Sequence, residues 1–201
     1  MTLLVASTNH NKIREIGAVL NQTPIRTITL ADVPPVQEPE ETSDTFWENA
    51  RQKALAYARQ TGVTTVAEDS GLEIDALGGE PGVRSARFLG PHTSYPDRFA
   101  EIYKRLAAEP QALRDARFVT ALVLAEPDGT ILCEIEAVIE GVIAATPTGT
   151  NGFGYDPILF YPPLGKTLAE LTLDEKCAVS HRARIFRDLA RHFLQRGLPR
   201  P

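Results

Sequence analysis

Short apolar runs alternate with amphipathic segments along the chain. Residues 3–6 form an apolar run that predicts a buried strand, and the apolar positions after it recur at helical spacing through residue 20. Residues 25–30 form a second strand-like run. The chain therefore opens with a predicted strand, a polar loop, a helix and a second strand.

A proline-rich, acidic segment leads into the next predicted helix. Residues 32–45 read DVPPVQEPEETSDT, a composition that favours a loop over a regular element. Ser43 or Asp44 is placed to cap the helix that follows, and that helix is predicted to end near Gly62. Its apolar face comprises Phe46, Ala50, Ala54 and Tyr57.

Residues 64–82 read TTVAEDSGLEIDALGGEPG, in which a short apolar run ends in two adjacent carboxylates. The pattern predicts a strand over 64–67, a bend at Ser70-Gly71 and a continuing strand over 72–74. A further helix is predicted over 97–107 by its apolar spacing.

Two longer strand-like runs, 116–125 and 130–143, flank a Pro-Asp-Gly turn and predict an antiparallel hairpin. The chain closes with an amphipathic helix whose apolar residues are Phe186, Leu189, Ala190, Phe193 and Leu194. This order of elements predicts an α/β fold in which helices cover a mixed, elongated central sheet.

Length and composition narrow the class of protein. A chain of 201 residues is long enough for one packed domain, so residues 1–201 are predicted to form a single domain. The start of the chain lacks the pattern of a signal peptide or membrane span, which favours a cytoplasmic location. Cys133 and Cys177 lack metal-site spacing and are predicted to be reduced structural thiols.

The net charge of −5 disfavours a nucleic-acid partner, because such proteins usually present a basic surface. It leaves room for a small anionic ligand, since a few cations that converge on one site set the local field whatever the total charge.

The polar stretch STNHNK joins the first strand to the first helix, where free N–H groups and the helix dipole attract phosphate. It comprises Ser7, Thr8, Asn9, His10, Asn11 and Lys12. The alternative is a polar turn in which Asn9 or Asn11 caps the helix. Because Walker A and GxGxxG signatures are absent, a P-loop or a Rossmann site has no support.

Two groups of carboxylates are candidate ligands for Mg²⁺, which takes one or two carboxylates together with water and substrate phosphates. They are Glu38, Glu40 and Glu41 in the acidic loop, and Glu68 and Asp69 at the strand end. The acidic loop is alternatively a solvated surface loop. Strand alternation turns one of the two neighbouring acids toward each face of the sheet, so at least one of them needs a compensating cation.

Two further segments carry candidate binding groups. NGFGYD at residues 151–156 combines glycines with aromatic rings that can stack on a base, although such loops are also plain turns. EKCAVSHRAR at residues 175–184 offers Lys176, His181 and Arg182, while Ser180 can be simply a helix cap. Lys53 can bind a phosphate oxygen or can be solvated at the margin of its helix.

These segments together resemble the inosine triphosphatase family, nucleoside triphosphate pyrophosphatases that act on purine nucleotides outside the standard set. The resemblance runs the length of the chain, and its blocks are STNHNK, EETSDTFWENARQKA, AEDSGLEIDALGGEPGVRSARF, TNGFGYDPILF, ELTLDEKCAVSHRAR and the final helix. The family more often has Asp-Asp-Ser-Gly-Leu where this chain begins with Glu68, and Thr-Gly-Asn where it has Ser7-Thr8-Asn9.

The resemblance implies a two-lobed fold with an active-site cleft between the lobes, and a Mg²⁺-dependent homodimer. It implies hydrolysis of ITP, dITP or XTP to the monophosphate and pyrophosphate, with no role for nucleic acid or membrane. Asp69 and Lys53 would be catalytic, and Glu41 and Asp69 would bind the metal. The phosphate-binding residues would be Ser7, Thr8, Asn9, His10, Asn11, Lys12 and Ser70. The base pocket would comprise Phe153, Gly154, Tyr155, Asp156, Lys176, His181 and Arg182.

Two other functions fit parts of the same pattern. One is a related pyrophosphatase that prefers modified pyrimidine nucleotides, and the other is a nucleotide-binding regulator that has lost the chemistry. Asp69, Glu41, Lys12 and Lys53 argue against the regulator, because a protein that only binds has no need of a base for water. A structural protein that only binds partners fits the pattern least, since the sequence has neither repeats nor coiled-coil heptads.

Overall fold

The computed structural model of the protein describes residues 2–108 and 113–196. Within these ranges seven strands form one sheet in the order β2-β1-β3-β4-β5-β6-β7. The strands are β1 (Thr2–Val5), β2 (Arg26–Thr29), β3 (Thr65–Ile74), β4 (Asp115–Ala125), β5 (Ile131–Ile143), β6 (Leu159–Tyr161) and β7 (Lys166–Thr167). The α-helices are α1 (His10–Leu20), α2 (Phe46–Thr61), α3 (Tyr95–Ala108), α4 (Leu173–Val179) and α5 (His181–Arg196).

The sheet is mixed, as the sequence predicts. Strand β1 pairs in parallel with β2 and with β3, so that Leu4 lies opposite Ile28 on one side and Thr65 on the other. Strand β6 is antiparallel to both β5 and β7. The predicted α/β fold, a mixed sheet flanked by helices, is therefore confirmed.

The chain divides into two compact units. The first comprises Met1–Asp69, Thr120–Ala137 and Ser180–Pro201, and the second comprises Ser70–Val119 and Val138–Val179. Each unit is described separately below, and the cleft implied by the family resemblance stays a prediction.

The first unit is built on the predicted strand and helix at the start of the chain. Helix α1 packs against α5. Four of the five apolar residues predicted for α5 are buried, whereas Leu194, near the end of the helix, is 61% exposed and is wrong as a core residue. Leu20 of α1 and Leu189 of α5 are fully buried, as is Leu4 of β1. This packing holds the loop after β1 next to the start of α5.

The second unit has its own hydrophobic core. Helix α3 contributes Phe99 and Ile102, and strand β3 contributes Leu72. Tyr155 and Ile158, which follow the glycine-rich segment, are part of the same cluster. The predicted helix over 97–107 is confirmed, and its burial fixes the chain around residues 153–158.

Two local predictions are wrong. Thr45 caps α2 instead of Ser43 or Asp44, because its hydroxyl accepts the backbone N–H of Glu48. Strand β3 also continues through Ser70 and Gly71, where the turn-forming residue types predicted a bend. The predicted helix end is confirmed, since Gly62 adopts the left-handed conformation at φ 68° that favours glycine.

Across residues 2–108 and 113–196, none of the helices combines the length and apolar character needed to span a bilayer.

Candidate active site

The polar loop after β1 is organised by Asn9. Its side-chain oxygen accepts the backbone N–H groups of Asn11 at 3.0 Å and Lys12 at 3.2 Å, so Asn9 caps α1. The hydroxyl of Ser7 accepts the N–H of Asn9 at 3.2 Å. The cap interpretation is thus confirmed for Asn9, and a phosphate at this helix end would have to compete with its side chain for those N–H groups. Thr8 and His10 are exposed in the same loop.

The two neighbouring carboxylates at the end of β3 have different partners. Glu68 accepts Nε of Arg182 at 2.9 Å, Nζ of Lys12 at 3.2 Å and the hydroxyl of Thr120 at 2.8 Å. Arg182 also donates to Glu15 of α1 at 2.7 Å. We call Glu68, Arg182, Lys12, Thr120 and Glu15 the Glu68 network. It connects β3 to α1, β4 and α5.

Glu68 and Arg182 are both charged although their side chains are buried. Desolvation alone would raise the pKa of Glu68, but Arg182 and Lys12 outweigh it and hold that pKa well below its usual range. Desolvation also tends to lower the pKa of Arg182, and Glu68 and Glu15 raise it instead. The pKa of Lys12 is lowered, because burial and the nearby cations together outweigh Glu68.

Asp69, the second carboxylate, shares the ammonium group of Lys53 with the acidic loop. Nζ of Lys53 donates to Oδ1 of Asp69 at 3.2 Å and to Oε1 of Glu41 at 2.8 Å. It also donates to the backbone carbonyl of Glu68 at 2.9 Å. Lys53 is therefore a buried cation that bridges two sequence-distant carboxylates, and the solvated alternative for its side chain is excluded. Glu38 and Glu40 are exposed in the acidic loop.

The environment of Asp69 favours a proton acceptor. Burial raises the pKa of Asp69, and the attraction of Lys53 and Lys12 offsets only part of that rise. Burial alone would lower the pKa of Lys53, but Asp69 and Glu41 together hold it above its usual value. A buried carboxylate with a raised pKa, next to a charged ammonium, suits general-base catalysis on a phosphate ester.

The carboxylates of Glu41 and Asp69 also suit a hard divalent cation. No group of three or more His, Cys, Asp or Glu side chains within residues 2–108 and 113–196 is arranged to cage a metal. Mg²⁺ does not require such a cage, since it keeps several waters and binds one or two carboxylates with substrate phosphates. Two carboxylates that already converge on one cation, Lys53, therefore fit Mg²⁺.

In the second unit, the glycine-rich loop is closed by Asp156. One oxygen of Asp156 accepts the backbone N–H of Phe153 at 2.7 Å and forms an ion pair with Lys176. Nζ of Lys176 lies 5.1 Å from the centre of the Phe153 ring, within cation–π range. Gly152 has φ 71°, and a Cβ there would lie 2.0 Å from this Asp156 oxygen. The loop thus presents a half-buried aromatic ring beside a buried, paired ammonium.

Tyr155 belongs to the core of the second unit. Its ring packs edge-on against Tyr95 at 5.3 Å, and its hydroxyl donates to the carbonyl of Ser85 at 2.9 Å. Burial raises its pKa, and Arg98 offsets only part of that rise. Tyr155 is therefore a core residue next to the loop, whereas Phe153 is only partly buried.

The remaining predicted residues lie at the ends of elements. Ser70 is half-buried within β3, and Gly154 adopts φ 65° between the two aromatics of its loop. His181 is buried in the first turn of α5, after Ser180. The cap interpretation of Ser180 is confirmed, because its hydroxyl accepts the N–H of Ala183 at 3.1 Å.

The structure brings the predicted residues together in two groups. In the first unit it joins Lys12, Arg182, Glu41, Lys53 and Asp69 through the contacts above, with Glu68 between them. In the second unit it joins Phe153, Asp156 and Lys176. Arg182 contacts Glu15 and Glu68, so its predicted role in base recognition stays a prediction, as do the roles of the other site residues.

Three residues that contact the first group were not predicted as site residues: Glu15, Thr120 and Asn49, whose side-chain nitrogen donates to Asp69 at 3.2 Å. Glu15 and Asn49 are polar side chains on otherwise apolar helix faces, and such a position is a usable signal for a buried polar contact. Thr120 lies in an apolar run of β4, where threonine is an ordinary strand residue and gives no signal.

Glu68→Gln is expected to lower the free energy of unfolding by roughly 3–5 kcal/mol at neutral pH, because it leaves the buried Arg182 and the partly buried Lys12 with a neutral partner. Because the pKa of Glu68 is lower in the folded state, its stabilising effect is present above the usual carboxyl pKa. That effect is lost as pH falls through the folded-state value, so the difference between wild type and variant narrows in acid. Urea unfolding followed by circular dichroism measures both effects.

The matched control is Glu140→Gln, since Glu140 is 68% exposed and pairs with Arg117 at 3.1 Å on the surface. Its loss is expected to cost no more than about 1 kcal/mol. Equal losses for the two variants would contradict a stabilising role for the Glu68 network.

The chain is similar to known proteins along nearly its whole length. The model of the Ham1 family matches residues 3–192. A dITP/XTP pyrophosphatase of Syntrophobacter fumaroxidans is 46% identical over 193 residues, which cover 96% of this chain and 82% of that relative.

Two solved structures have the same fold. A HAM1 protein from Coxiella burnetii has a TM-score of 0.86 and 37% identity, with 97% of this chain and 99% of that chain covered. A nucleoside-triphosphatase / dITP/XTP pyrophosphatase from Mycobacterium abscessus has a TM-score of 0.75 and 40% identity, with both chains fully covered at 100%. These matches confirm the resemblance found in the motifs, and the chain belongs to the Ham1 family.

Proposed function

We propose that this protein hydrolyses dITP, XTP and ITP to the nucleoside monophosphate and pyrophosphate. The activity would remove deaminated purine nucleotides before polymerases use them. The observation that carries the proposal is the buried carboxylate of Asp69, which shares the ammonium group of Lys53 with the carboxylate of Glu41. The names of the relatives, dITP/XTP pyrophosphatases, agree with it.

The reaction is an attack of water on the α-phosphorus. A bond forms between the water oxygen and the α-phosphorus, the bond to the bridging α–β oxygen breaks, and pyrophosphate leaves. Asp69 accepts the proton that the water loses, which general-base catalysis requires of a group within hydrogen-bond reach. Lys53 and Lys12 stabilise the negative charge that develops on the phosphates.

Glu41 and Asp69 are the residues that would hold Mg²⁺. When bound, Mg²⁺ supplies charge neutralisation on the phosphate oxygens. Lys53 bonds to both carboxylates, and this contact keeps them oriented toward a common point. The shared ammonium also limits the repulsion between Asp69 and Glu41.

The phosphate chain is proposed to bind the loop after β1, from Ser7 to Lys12, together with Ser70. Asn9 shapes this loop through its two bonds to backbone N–H groups. The exposed side chains of Thr8 and His10 and the ammonium of Lys12 are then available as donors on the loop surface.

The base is proposed to be recognised by the segment from Phe153 to Asp156 with Lys176, His181 and Arg182. Hypoxanthine and xanthine carry a 6-oxo acceptor where adenine carries an amino donor. Donors placed for the oxo group therefore reject adenine, because a buried donor would be left unpaired. The Phe153 ring, next to Lys176, offers the face on which a purine stacks.

Three further properties belong to this proposal. Residues 1–201 act as one catalytic domain. The match of the family model to residues 3–192 is consistent with a single domain. The active form is a homodimer, and the protein works in the cytoplasm, where the nucleotide pool lies.

A nucleotide panel tests the proposed substrate class. We expect turnover of dITP, ITP and XTP to exceed that of ATP, dTTP and methylated pyrimidine nucleotides by at least about a hundredfold in kcat/KM. GTP belongs in the same panel, because guanine shares the 6-oxo group and its rejection depends on the 2-position. Pyrophosphate, measured separately from orthophosphate, should be the released product, and activity should require added Mg²⁺. A preference for the pyrimidine nucleotides would favour the related pyrimidine enzyme, release of orthophosphate would place the cleaved bond elsewhere, and binding without turnover would indicate a regulator.

Gly152→Ala tests the loop that presents Phe153 and Lys176. The new Cβ would displace the Asp156 carboxylate from Lys176. The KM for ITP should therefore rise by roughly ten- to a hundredfold, which corresponds to the free energy of one hydrogen bond to a charged group. Gly165→Ala is the matched control, because Gly165 has a similar φ of 62° with nothing within 4 Å of a Cβ. Steady-state kinetics should show an unchanged KM for the control, and an equal rise in both variants would contradict a role for this loop.

A further inference from the structure

Asn49 is a fully buried amide on the apolar face of α2, one helical turn before Lys53. A buried amide in such a place is costly unless its oxygen and both N–H groups have partners. The partners of Asn49 therefore indicate what the residue is for.

One side of the amide binds the acidic loop. The side-chain oxygen of Asn49 accepts the backbone N–H of Ser43 at 3.1 Å, and its nitrogen donates to the backbone carbonyl of Ser43 at 3.2 Å. Both bonds go to backbone atoms, so they fix the path of the chain two residues after Glu41, whatever the side chain at position 43.

The other N–H of the amide reaches Asp69. The side-chain nitrogen of Asn49 donates to Oδ2 of Asp69 at 3.2 Å, while Lys53 donates to Oδ1. The two oxygens of Asp69 thus have different donors, both from α2, and this arrangement fixes the rotation of the carboxylate. Asn49 therefore links the Asp69 carboxylate to the backbone of the acidic loop two residues after Glu41, in addition to the bonds that Lys53 makes to both carboxylates.

We propose that Asn49 is a positioning residue that sets the mutual geometry of Glu41 and Asp69. It acts through the acidic loop and through the Asp69 carboxylate and makes no contact with substrate. The inference rests on the proposed function, because the geometry matters for the metal and for the attacking water. Removal of a residue that orients a metal-binding carboxylate typically lowers metal affinity or activity by about ten- to a hundredfold.

Gln52 provides a natural comparison on the same helix. Its side chain donates to the hydroxyl of Ser43 at 2.8 Å, and it is exposed. Gln52 therefore contacts the same loop residue, and its side chain does not hydrogen-bond to Asp69 in the described part of the chain. A Gln52 variant thus separates general attachment of the loop from control of the carboxylate.

The test compares Asn49→Leu, which has the same branched skeleton but is bulkier, with Asn49→Ser, which leaves room for water, and with Gln52→Ala as the matched control. Both Asn49 variants are expected to lose at least about tenfold in kcat for ITP, to keep the KM for ITP within about threefold, and to need roughly tenfold more Mg²⁺ for half-maximal rate. Gln52→Ala should keep all three values.

Two readouts do not depend on turnover. Hydrogen–deuterium exchange of the peptide that contains Ser43 should accelerate in the Asn49 variants, because the Ser43 N–H loses its acceptor. Mn²⁺ binding, followed by the electron paramagnetic resonance of free Mn²⁺, should weaken by roughly tenfold in the same variants. Thermal melts establish that each variant compared is folded.

A folded Asn49 variant with faster exchange at Ser43 but with wild-type kcat and Mn²⁺ affinity would overturn the proposal, since the residue would then be only a loop anchor. Unchanged exchange would also overturn it. If wild type hydrolyses none of the nucleotides, the proposed function fails instead, and the exchange and Mn²⁺ comparisons still decide whether Asn49 sets this geometry. If Asn49→Leu does not fold, Asn49→Ser carries the test.

Discussion

The structure depends on how two adjacent buried carboxylates at the end of one strand are compensated. Glu68 and Asp69 are 5% and 6% exposed, and a buried charge is tolerated only with a well-placed partner of opposite sign. Arg182 and Lys12 form ion pairs with Glu68, and Lys53 forms an ion pair with Asp69. The first set of contacts ties β3 to α1 and α5, and the second ties it to α2 and the acidic loop.

The same compensation divides the two carboxylates by function. Glu68 has two strong cations and a hydroxyl, so its pKa is low and it remains a permanent anion. Asp69 is buried with less compensation, so its pKa is raised and its proton affinity suits a base. Replacement of the family's usual aspartate by Glu68 adds a methylene, and the longer side chain still reaches Arg182 at 2.9 Å. Lys12 forms an ion pair with Glu68 alone, but its charge lowers the pKa of both acids.

Most regular elements could be predicted from the sequence, because their apolar periodicity is strong. The first two strands with the helix between them, α2 with its Gly62 end, α3 and the final helix all follow from local pattern. The cap of α2 was assigned to Ser43 or Asp44, since three polar residues in a row compete for that position and only tertiary contacts select Thr45. The continuation of β3 through Ser70-Gly71 was missed because sheet pairing overrides the turn preference of those residues.

The charged residues of the candidate site could be predicted from the sequence, but the contacts between them could not. Motif and resemblance singled out Asp69, Lys53 and Glu41, whereas the pairing of Arg182 with Glu15 and Glu68 joins residues far apart in sequence. Local spacing carries no information on such contacts. Asn49 was visible as a polar residue beside an apolar stripe, but its partners at Ser43 and Asp69 depend on the course of an irregular loop, which periodicity does not specify.

The central claim is that Asp69 is the base while its neighbour Glu68 is structural, and Asp69→Asn tests it most directly. Single-turnover hydrolysis of ITP at saturating Mg²⁺ should be slower than wild type by roughly a hundred- to ten-thousandfold. ITP binding, measured by calorimetry on the same preparation, should stay within about threefold of wild type. A variant that hydrolyses ITP at the wild-type rate would contradict the account and remove Asp69 from the mechanism.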